Sequence, residues 1–426
     1  MITLLDYGAG NVRSVINAIE SLGQTVKVVT GAQDILSAEK LVFPGVGAFG
    51  NMMRILREKK YVEPLLTYLR SDRPFLGICL GLQALFDYSE EAPDIKGLGF
   101  IPGAVRRFAI DLSVPHIGWN GLNYRQPSRI FTGLQGSEKF YFVHSYYVVA
   151  DDPEVILTTT DYGCEFVSSI QKGNIIATQF HPEKSGRAGL RLLQNFLESP
   201  AQAVRPVQTS RKTTLAKRIV ACLDVRSNDQ GDLVVTKGDQ YDVREDGNVR
   251  NLGQPVELAQ RYYQEGADEI TFLNITGFRD FPLEDIPMLE ILRQTSRHVF
   301  VPLTIGGGIR DYTDKDGRQY RALEVAAGYF RSGADKVSIG SDAVLIAEDY
   351  LKTGRRTGHS AIEEIARVYG NQAVVVSIDP RRVYVKAPAE VKHAVIETAL
   401  PGPGGERYCW YQCTIKGGRE GRDLDA

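Results

Sequence analysis

The stretch FLGICLGLQALF, residues 75–86, decides how the first part of this chain folds. It leads from a continuous apolar run into a helix-like segment, and Cys79 stands at the junction, two residues from Gly77 and from Gly81. Because glycine has no side chain, this spacing predicts a backbone turn that is too tight for larger residues. We therefore predict a strand, a sharp turn and a helix that together present the thiol of Cys79.

On both sides of this stretch, short β-rich runs alternate with amphipathic segments. The runs include TVKVVT (25–30), KLVFPG (40–45) and FYFVHSYYVV (140–149), and GLRLLQNFLES (189–199) has the spacing of a helix with one apolar face. This alternation indicates an α/β domain in which helices flank a mixed sheet. The segment PAQAVRPVQTSRKTTLA that follows is poor in large apolar residues and holds two prolines, which is typical of a linker.

Beyond the linker, five continuous apolar runs follow one another, and helix-like stretches separate the later ones. Continuous apolarity indicates strands that are covered on both faces, as in a parallel βα barrel. The five runs are RIVACLD (218–224), EITFLNI (269–275), VFVPLTIGG (299–307), DKVSIG (335–340) and AVVVSID (373–379).

These patterns divide the chain into three regions. We predict an α/β domain over residues 1–200, a linker over 201–214 and a βα barrel domain over 215–426. A length of 426 residues with 43% hydrophobic content suits two cores better than one. A formal net charge of −2 offers no basic face for phosphates, which argues against nucleic acid as a partner.

Composition also bounds the compartment and the chemistry. The start, MITLLDYGAGNVRS, lacks the features of a signal peptide, and no stretch reaches the ~20 apolar residues of a membrane span. We therefore predict an intracellular, cytoplasmic protein with no membrane partner. The five cysteines are scattered and form no Cys-x-x-Cys pair, which argues against a disulfide framework and against zinc. We expect neither a metal nor a cofactor.

Cys79 has candidate partners elsewhere in the chain. In TQFHPEKSG (178–186), His181 and Glu183 are two residues apart, so their side chains point to one face if the segment is extended. His181 is then placed to take the thiol proton while Glu183 orients the imidazole. Glycines in FPGVGAFG (43–50) leave backbone N–H groups free to stabilise an oxyanion. Each feature alone is more often structural, but their combination favours a nucleophilic cysteine.

The barrel domain carries a second set of candidates at the ends of its predicted strands. Asp224 ends the first run and Asp379 ends the fifth, in the similar contexts VACLDV and VVSIDP. In a barrel of eight strands these carboxylates face each other across the mouth, which suits one acid and one base. The loops TIGGGIRD (304–311) and SIGSDAV (338–344) open helices and suit a phosphate. Either aspartate alone is more often a turn residue, and three glycines alone are a weak signal.

Several motifs of the first domain resemble a known family. PGVGAFG, GICLGLQ, VHSYY and HPEKSG are similar to motifs of class I glutamine amidotransferases, specifically the glutaminase part of the imidazole glycerol phosphate synthase family. The resemblance implies that Cys79 is the nucleophile that forms a glutamyl thioester, that His181 is the acid and base, and that Glu183 orients it. It also implies an oxyanion site and a glutamine site at Gly45, Val46, Gly47, Gln83, Ser145 and Tyr146.

The second domain resembles the cyclase part of the same family. KRIVACLDV, GADEITFLNI, GADKVSIGS and VVVSIDPRRV carry this resemblance, and the domain order is that of the fused, single-chain form. It implies that Asp224 and Asp379 are the catalytic pair and that Lys237 steadies the substrate. For the charged residues Arg218, Glu269 and Lys336, a cluster of surface salt bridges is the simpler explanation. The other implied residues hold one substrate phosphate (Gly308, Gly340 and Ser341) or gate an ammonia channel (Arg218, Glu269 and Lys336).

The resemblance as a whole implies a bifunctional enzyme of histidine biosynthesis. L-glutamine is hydrolysed in the first domain, and the ammonia crosses an intramolecular interface to the barrel. There a bisphosphorylated ribulosyl aminoimidazole carboxamide nucleotide (PRFAR) gives imidazole glycerol phosphate and a carboxamide ribotide (AICAR). Two alternatives are a phosphosugar isomerase with a similar aspartate pair, which has no use for ammonia, and a glutaminase with a non-catalytic docking or regulatory barrel fragment.

Only five of the eight strands of a closed barrel are recognisable in the sequence. We therefore expect a (βα)8-type barrel truncated after about five strands, without the loops that hold the second phosphate, and a chain that lacks cyclase activity. The stretch 382–418 is long for a connection. Its alternating YCWYQCTIK predicts a strand within an excursion that has its own small core around Trp410.

Overall fold

The structure is a computed structural model, and two of the predicted site residues, Val46 and Lys237, lie outside the residues that it describes. The described residues are 1–8, 11–45, 47–200, 202–206, 212–236, 244–245, 248–249, 251–275, 283 and 286–426.

The first domain is a mixed sheet covered by helices. Its strands are β1 (Ile2–Leu4), β2 (Val26–Val28), β3 (Lys40–Gly45), β4 (Phe75–Cys79), β5 (Tyr88–Ser89), β6 (Gly103–Arg107), β7 (His116–Asn120), β8 (Asn123–Tyr124), β9 (Phe140–His144), β10 (Tyr146–Ala150), β11 (Ile156–Tyr162), β12 (Cys164–Lys172) and β13 (Ile175–Thr178). Its helices are α1 (Val12–Ser21), α2 (Ala32–Ser37), α3 (Phe49–Glu58), α4 (Val62–Arg70), α5 (Leu80–Gln83) and α6 (Gly186–Glu198).

Strand β4 lies in the interior of the main sheet. The order of its strands is β2-β1-β3-β4-β13-β12-β10-β6-β5 within the described residues, and β4 is parallel to both β3 and β13. Because the run is apolar throughout, Phe75 packs into the core on one face while Leu76 and Ile78 pack into the core on the other. Cys79 therefore ends a strand that is held on both faces and along both edges.

The second domain combines βα units with a separate antiparallel sheet. Its helices are α7 (Pro255–Glu265), α8 (Pro287–Thr295), α9 (Ala322–Arg331), α10 (Ser341–Thr353) and α11 (Ala361–Tyr369). Its strands are β14 (Val220–Ser227), β15 (Leu233–Thr236), β16 (Arg244–Glu245), β17 (Asn248–Val249), β18 (Glu269–Asn274), β19 (Leu303–Gly306), β20 (Tyr312–Thr313), β21 (Gln319–Tyr320), β22 (Lys336–Ile339), β23 (Val374–Val376), β24 (Pro380–Val385), β25 (Ile396–Glu397), β26 (Tyr408–Ile415) and β27 (Glu420–Asp425).

The five apolar runs of the second domain form the parallel strands β14, β18, β19, β22 and β23, which confirms the βα prediction. They pair in that order, and β15 adds an antiparallel strand beside β14. Within the described residues, this sheet has two open edges, at β15 and at β23. The amino ends of the parallel strands lie toward the first domain, where Asn11 of that domain bonds to Gly333 and Asp335 just before β22.

The predicted excursion forms a sheet of its own. Strand β26 pairs with β24, β25 and β27, so the strand expected in YCWYQCTIK is present. Trp410 is 4% exposed and stacks on His393, with the ring centroids 3.6 Å apart. The indole is therefore buried against His393. The apolar cluster of the excursion joins Cys413 and Ile415 to Val344 of α10 and does not include Trp410, so it is not the separate core around Trp410 that the sequence predicts.

The two domains share part of their packing. Nδ2 of Asn17 donates a hydrogen bond to Oγ of Ser296 at 2.9 Å, and the amide of Ala216 donates to the carbonyl of Trp119 at 2.7 Å. The rings of Trp119 and Tyr141, from the first domain, belong to the apolar core of the second. A wall of the first domain is therefore fixed against the amino ends of the parallel strands.

Membrane-spanning helices and metal-binding clusters are both absent from the described part of the chain. None of its helices is long and apolar enough to cross a bilayer, and α6 and α10 have only 13 residues each. The described residues also contain no group of three or more His, Cys, Asp or Glu side chains placed to hold a metal ion.

Candidate active site

The sharp turn predicted at Cys79 is present. Strand β4 ends at Cys79, whose backbone has φ 55° and ψ −103°, and α5 begins at the next residue. A Cβ on Gly81 would lie 2.0 Å from the carbonyl oxygen of Phe43, and one on Gly77 would lie 2.8 Å from the carbonyl oxygen of Gly81. The glycines therefore permit a close backbone approach, and the left-handed φ is a strain typical of functional sites. Because α5 has only four residues, its dipole is weaker than that of the predicted helix.

His181 and Glu183 lie together, but not on the extended segment that the sequence predicts. Pro182 fixes its own φ and begins a turn of 3-10 helix, Pro182–Lys184. The turn places Nδ1 of His181 2.8 Å from Oε1 of Glu183, and both side chains are buried. Burial alone lowers the pKa of His181, but the Glu183 carboxylate and the Cys79 thiol raise it well above 6.5. The pair is therefore built to stabilise an imidazolium.

The sulfur of Cys79 has His181 and Gln179 as polar neighbours. Nε2 of Gln179 donates a hydrogen bond to the sulfur at 3.5 Å, and the thiol acts strongly on the ionisation of the His181 ring. Nε2 of His181 is buried and makes no hydrogen bond of standard geometry within the described residues. Because Nδ1 is bonded to Glu183, Nε2 is the nitrogen left to accept the thiol proton.

A cavity of about 180 Å³ lies in front of the sulfur and is lined by both domains. Of the five described residues predicted for the oxyanion and glutamine sites, Gly47, Gln83, Ser145 and Tyr146 line the cavity and Gly45 does not. Residues at the start of β22 and the end of α11 also line it. The lining includes Cys79, Gln83, Glu91, Arg107, Tyr141, His144, Ser145, Tyr146, His181 and Glu183 from the first domain, and Asp335, Lys336, Tyr369 and Gln372 from the second.

The run FYFVHSYYVV, which the sequence predicts as one strand, is divided at Ser145. The part before it, β9, pairs with β7, whereas the part after it, β10, pairs with β6 and β12 in the main sheet. This break exposes the carbonyl of Tyr146, and Nε2 of Gln83 donates to it at 3.2 Å. Apolar alternation does not reveal the residue at which a chain passes from one sheet to another.

Glu91 and Arg107 are charged residues of the first domain that line the cavity and that the sequence does not predict. The amide of Phe49 donates to Oε2 of Glu91 at 2.8 Å, and burial raises the pKa of Glu91. Arg107, at the end of β6, lines the same cavity. A carboxylate and a guanidinium together suit the ammonium and carboxylate groups of a free amino acid. Glu91 stands in the irregular stretch YSEEAPD, so only the fold reveals its place.

The glycine loop after β3 lies beside the elbow. Gly45 is paired with Cys79 in the register of β3 and β4, and a Cβ on it would lie 2.5 Å from Cβ of Leu80. Gly47 has φ 112°, which side chains rarely permit, and its Cβ position is 3.1 Å from the carbonyl oxygen of Val368 in α11. The loop is therefore close to the sulfur, and a helix of the second domain covers it.

The predicted gate residues form a cluster at the amino ends of the parallel strands. Glu269 begins β18 and forms an ion pair with Lys336, which begins β22. Glu269 is also 3.4 Å from Arg218 and accepts a hydrogen bond from Thr304 at 2.9 Å. Because Glu269 is 5% exposed and Lys336 is 4% exposed, a surface salt-bridge cluster does not describe them. Burial lowers the pKa of Lys336, although Glu269 opposes the shift.

An ion pair that the sequence does not predict joins this cluster to the cavity. Nζ of Lys184 is 2.6 Å from Oδ2 of Asp335, and Nδ2 of Asn11 donates to Oδ1 of the same aspartate at 3.0 Å. Lys184 follows Glu183, and Asp335 precedes Lys336, so each stands next to a predicted residue. Their positions next to predicted residues are the only sign of them in the sequence. The sequence does not indicate that they contact each other across the domain interface.

The candidates at the carboxyl ends of the parallel strands are more dispersed. Asp224 lies on β14 and is half-buried, whereas Asp379 follows β23 and is exposed. Three strands, β18, β19 and β22, separate their two strands in the sheet. Gly308, with φ 78°, follows β19, and Gly340 precedes α10, whose first residue is Ser341. Gly308 and Gly340 follow parallel strands, as the sequence predicts. Asp224 lies three residues before the end of β14 and Asp379 three residues after the end of β23, so the two aspartates are not at the strand ends where the sequence predicts them.

The fold and the cavity define a class I glutamine amidotransferase joined to a βα domain. Family models agree: Glutamine amidotransferase class-I matches residues 3–199, and Histidine biosynthesis protein matches residues 218–402. Imidazole glycerol phosphate synthase hisHF, chloroplastic, of Arabidopsis thaliana is 59% identical over 100% of this chain and 73% of its own length. The hisHF synthase of Schizosaccharomyces pombe is 56% identical over 100% of this chain and 82% of its own length. The chain therefore belongs to the fused imidazole glycerol phosphate synthase hisHF family.

Membership of this family makes the chain an enzyme of histidine biosynthesis, a glutamine amidotransferase fused to a cyclase. Its first domain is also 49% identical to Imidazole glycerol phosphate synthase subunit HisH of Syntrophotalea carbinolica, over 46% of this chain and 98% of that subunit. The predicted order, an α/β amidotransferase domain followed by a barrel-type domain, is confirmed.

The expectation of a truncated barrel without cyclase activity is not supported. The histidine-biosynthesis match runs to residue 402, and the two fused relatives align with the whole chain. A count of recognisable strands is therefore no ground for removing the cyclase reaction from the function of this chain. The domain boundaries and the roles of individual residues stay predictions.

Proposed function

We propose that this chain hydrolyses glutamine at Cys79 and delivers the ammonia to its second domain. There PRFAR would be converted to imidazole glycerol phosphate and AICAR, as the family resemblance implies. The observation that carries the proposal is the cavity, because Cys79 and Lys336 both line it. One cavity therefore extends from the nucleophile to the amino ends of the parallel strands.

The first half-reaction follows from the contacts around the sulfur. Nε2 of His181 takes the thiol proton, and the sulfur attacks the carboxamide carbon of glutamine while Glu183 stabilises the imidazolium. The amide oxygen, now negative, accepts hydrogen bonds from the backbone after β3. When the C–N bond breaks, His181 returns the proton to the leaving ammonia and a glutamyl thioester remains. Water activated by the same imidazole then releases glutamate and the free thiol.

Recognition of glutamine needs groups for both of its charged ends. Glu91 supplies a carboxylate for the α-ammonium group, and Arg107 supplies a guanidinium for the α-carboxylate. Oε1 of Gln83 is buried, lines the cavity and has no hydrogen-bond partner within the described residues, so it is available to accept an N–H of the substrate.

Ammonia must then travel without meeting bulk water, since protonation removes its nucleophilic lone pair. The buried pair of Glu269 and Lys336 stands between the cavity and the interior of the parallel sheet. We propose that these two side chains, with Arg218, form the gate and that ammonia passes when their ion pair opens. The buried ring of Tyr141 closes the same wall on the first-domain side.

The cyclase half-reaction is placed at the carboxyl ends of the parallel strands. Asp224 and Asp379 would act as acid and base, with Lys237 holding the substrate. The backbone at Gly340 and Ser341 begins α10, a helix of 13 residues whose dipole favours a phosphate, and Gly308 lies in the loop after β19, the strand beside β22. The cytoplasm stays our prediction for the compartment, although one relative is chloroplastic by name.

The test removes the thiol and supplies nitrogen in two forms. Cys79→Ala should lower glutamine hydrolysis by at least ~10³-fold, because the covalent route is lost, while synthesis from ammonium salts persists. Cys164→Ala, a half-buried cysteine away from the cavity, is the matched control and should change neither. Unchanged hydrolysis in Cys79→Ala would overturn the proposal. Hydrolysis by the unmodified chain without synthesis from either nitrogen source would favour the non-catalytic barrel alternative.

A further inference from the structure

A continuous hydrogen-bonded chain of buried groups leads to the sulfur of Cys79, and the catalytic histidine is not one of its members. Its last member is Gln179, which is fully buried and donates from Nε2 to the sulfur at 3.5 Å. Oε1 of Gln179 accepts a hydrogen bond from Nε2 of Gln83 at 3.2 Å. Gln179 is not among the described residues that line the cavity, so its contact is with the nucleophile and not with the substrate.

The direction of every bond in this chain is fixed by one backbone group. The carbonyl of Tyr146 can only accept, and it accepts from Nδ1 of His144 at 2.7 Å and from Nε2 of Gln83 at 3.2 Å. Gln83 must therefore turn its NH₂ group to this carbonyl and to Gln179. Gln179 must in turn present its oxygen to Gln83, which leaves only its own NH₂ group to face the sulfur. The sulfur of Cys79 is consequently held as an acceptor.

The far end of the chain is anchored by a pair of buried histidines. Because Nδ1 of His144 donates to Tyr146, Nε2 of neutral His144 is an acceptor, and Nδ1 of His116 lies 3.2 Å from it. The ring of His116 is stacked on Tyr162 with the centroids 3.9 Å apart, which holds it in place. The orientation of the Gln179 amide is thus supported from well outside the cavity.

We propose that Gln179 is a positioning residue for the nucleophile of the glutaminase reaction: its amide N–H holds the sulfur as an acceptor and favours the thiolate. The thiol proton is then directed to Nε2 of His181, the other polar neighbour of the sulfur. This proposal rests on the proposed function, since it assigns a task that exists only if Cys79 is the nucleophile.

Two substitutions separate a role at the sulfur from a role in packing. Gln179→Met removes the donor and the acceptor without adding charge, whereas Gln179→Glu keeps an acceptor for Gln83 and removes the donor. Gln171→Glu is the matched control, because Gln171 accepts from Ser128 on the same domain and lies away from the cavity. All are made in the full chain and measured at pH 8, with Trp119 fluorescence as the check of folding.

Both Gln179 variants should lose about tenfold or more in kcat for glutamine, the effect of one hydrogen bond to a charged acceptor, with KM within twofold of the unmodified chain. Alkylation of Cys79 by iodoacetamide, followed by mass spectrometry of its peptide, should slow by a similar factor. Iodoacetamide does not use the glutamine contacts, so this readout reports on the sulfur alone. Gln171→Glu should match the unmodified chain in every measurement.

Two results would overturn the proposal. One is unchanged alkylation in Gln179→Met, and the other is a raised KM with an unchanged kcat, which would assign Gln179 to the support of Gln83 and the substrate. If Gln179→Met does not fold, alkylation of Gln179→Glu decides. Loss of hydrolysis in Cys79→Ala alongside normal Gln179 variants would leave the proposed function standing and remove only this inference.

Discussion

The two domains hold their candidate residues in different surroundings. In the first domain, Cys79, His181 and Glu183 are 6%, 4% and 4% exposed, and each is tied to a neighbour by a polar contact. In the second domain, Asp224 is half-buried and Asp379 is exposed, and their strands are separated by three others. In the first domain the protein itself sets the electrostatics of the candidate residues, whereas water shares that task in the second.

This difference has a consequence for how each region responds to change. A buried charge that loses its partner has no water to replace it, so single substitutions near the cavity should have large effects. An exposed or half-exposed group can find water instead. Matched substitutions in the two regions therefore test whether burial governs the response, and the expected effects can be ordered by size.

The largest effect is expected at the imidazole. His181→Asn should lower glutamine hydrolysis by about 10²–10⁴-fold, because the group that takes and returns the proton is lost, while KM for glutamine changes little. His393→Asn is the matched control, since His393 lies in the connection between β24 and β25, where it stacks on Trp410, and does not line the cavity. Steady-state kinetics of glutamate release measure both. Equal losses in the two variants would mean that the buried imidazole has no special task.

The next effect concerns the stability of the domain interface. Lys184→Met leaves the partly buried carboxylate of Asp335 without its cation and should lower the free energy of unfolding by about 2–3 kcal/mol. The double variant with Asp335→Asn should recover part of this loss, because no unpaired charge remains. Trp119 fluorescence during urea unfolding, in a Trp410→Phe background, follows the interface.

The comparison for this pair is an ion pair on the surface of the second domain. Arg321 is 61% exposed and bonds Glu364, so Arg321→Met should leave the unfolding midpoint within experimental error. A double variant at Lys184 and Asp335 that is less stable than the single variant at Lys184 would show that desolvation is not what makes the interface sensitive.

Local patterns in the sequence were sufficient for the features that depend on neighbours along the chain. The glycines beside Cys79 predict the elbow because the obstacles they avoid lie within the same turn and the adjacent strand. The five apolar runs predict parallel strands because burial on both faces is written into every residue of each run. His181 and Glu183 were correctly paired on their spacing, although Pro182 replaces the extended segment with a 3-10 turn.

Contacts between residues that are distant in the sequence could not be predicted from such local patterns. Glu91 reaches the cavity from an irregular loop, and Lys184 meets Asp335 across a domain interface, so no periodicity marks either. The break at Ser145 is set by which sheet accepts each half of an apolar run. Gln179 stands one residue after β13, and its contact with Cys79 follows from strand register.

The histidines behind the cavity predict a pH dependence that the second domain should not share. Burial, followed by the neighbouring His144, lowers the pKa of His116 to about 2, and burial lowers that of His144 to about 3. In the unfolded chain both histidines bind a proton below about pH 6.5, whereas in the folded chain they stay neutral down to much lower pH. Their contribution to the free energy of unfolding is therefore complete above pH 6.5 and is lost as the pH falls toward 3.

Between pH 7 and pH 5, each of these histidines should therefore lower the stability of the first domain by about 2 kcal/mol. His116→Gln keeps a donor for His144 but does not titrate, so the loss between the two pH values should shrink by about that amount. Urea unfolding followed by Trp119 tests this, and Trp410, read in a Trp119→Phe background, is the internal comparison. An equal acid sensitivity of His116→Gln and the unmodified chain would contradict the prediction.

The smallest effects come from two hydroxyls of the second domain, one on β19 beside the buried gate cluster and one on β26 in the antiparallel sheet. Thr304 donates to the buried carboxylate of Glu269 at 2.9 Å, whereas Thr414 donates to the carbonyl of Asp379, an exposed residue, at 2.5 Å. Both threonines are 3% exposed, so replacement by valine has the same steric consequence at both sites. Thr304→Val should lower stability by about 2 kcal/mol because a charged acceptor loses its donor, and Thr414→Val by about 1 kcal/mol or less because water can reach the carbonyl. Trp119 reports the first site and Trp410 the second, and a larger loss at Thr414 would mean that burial of the partner does not set the size of the response.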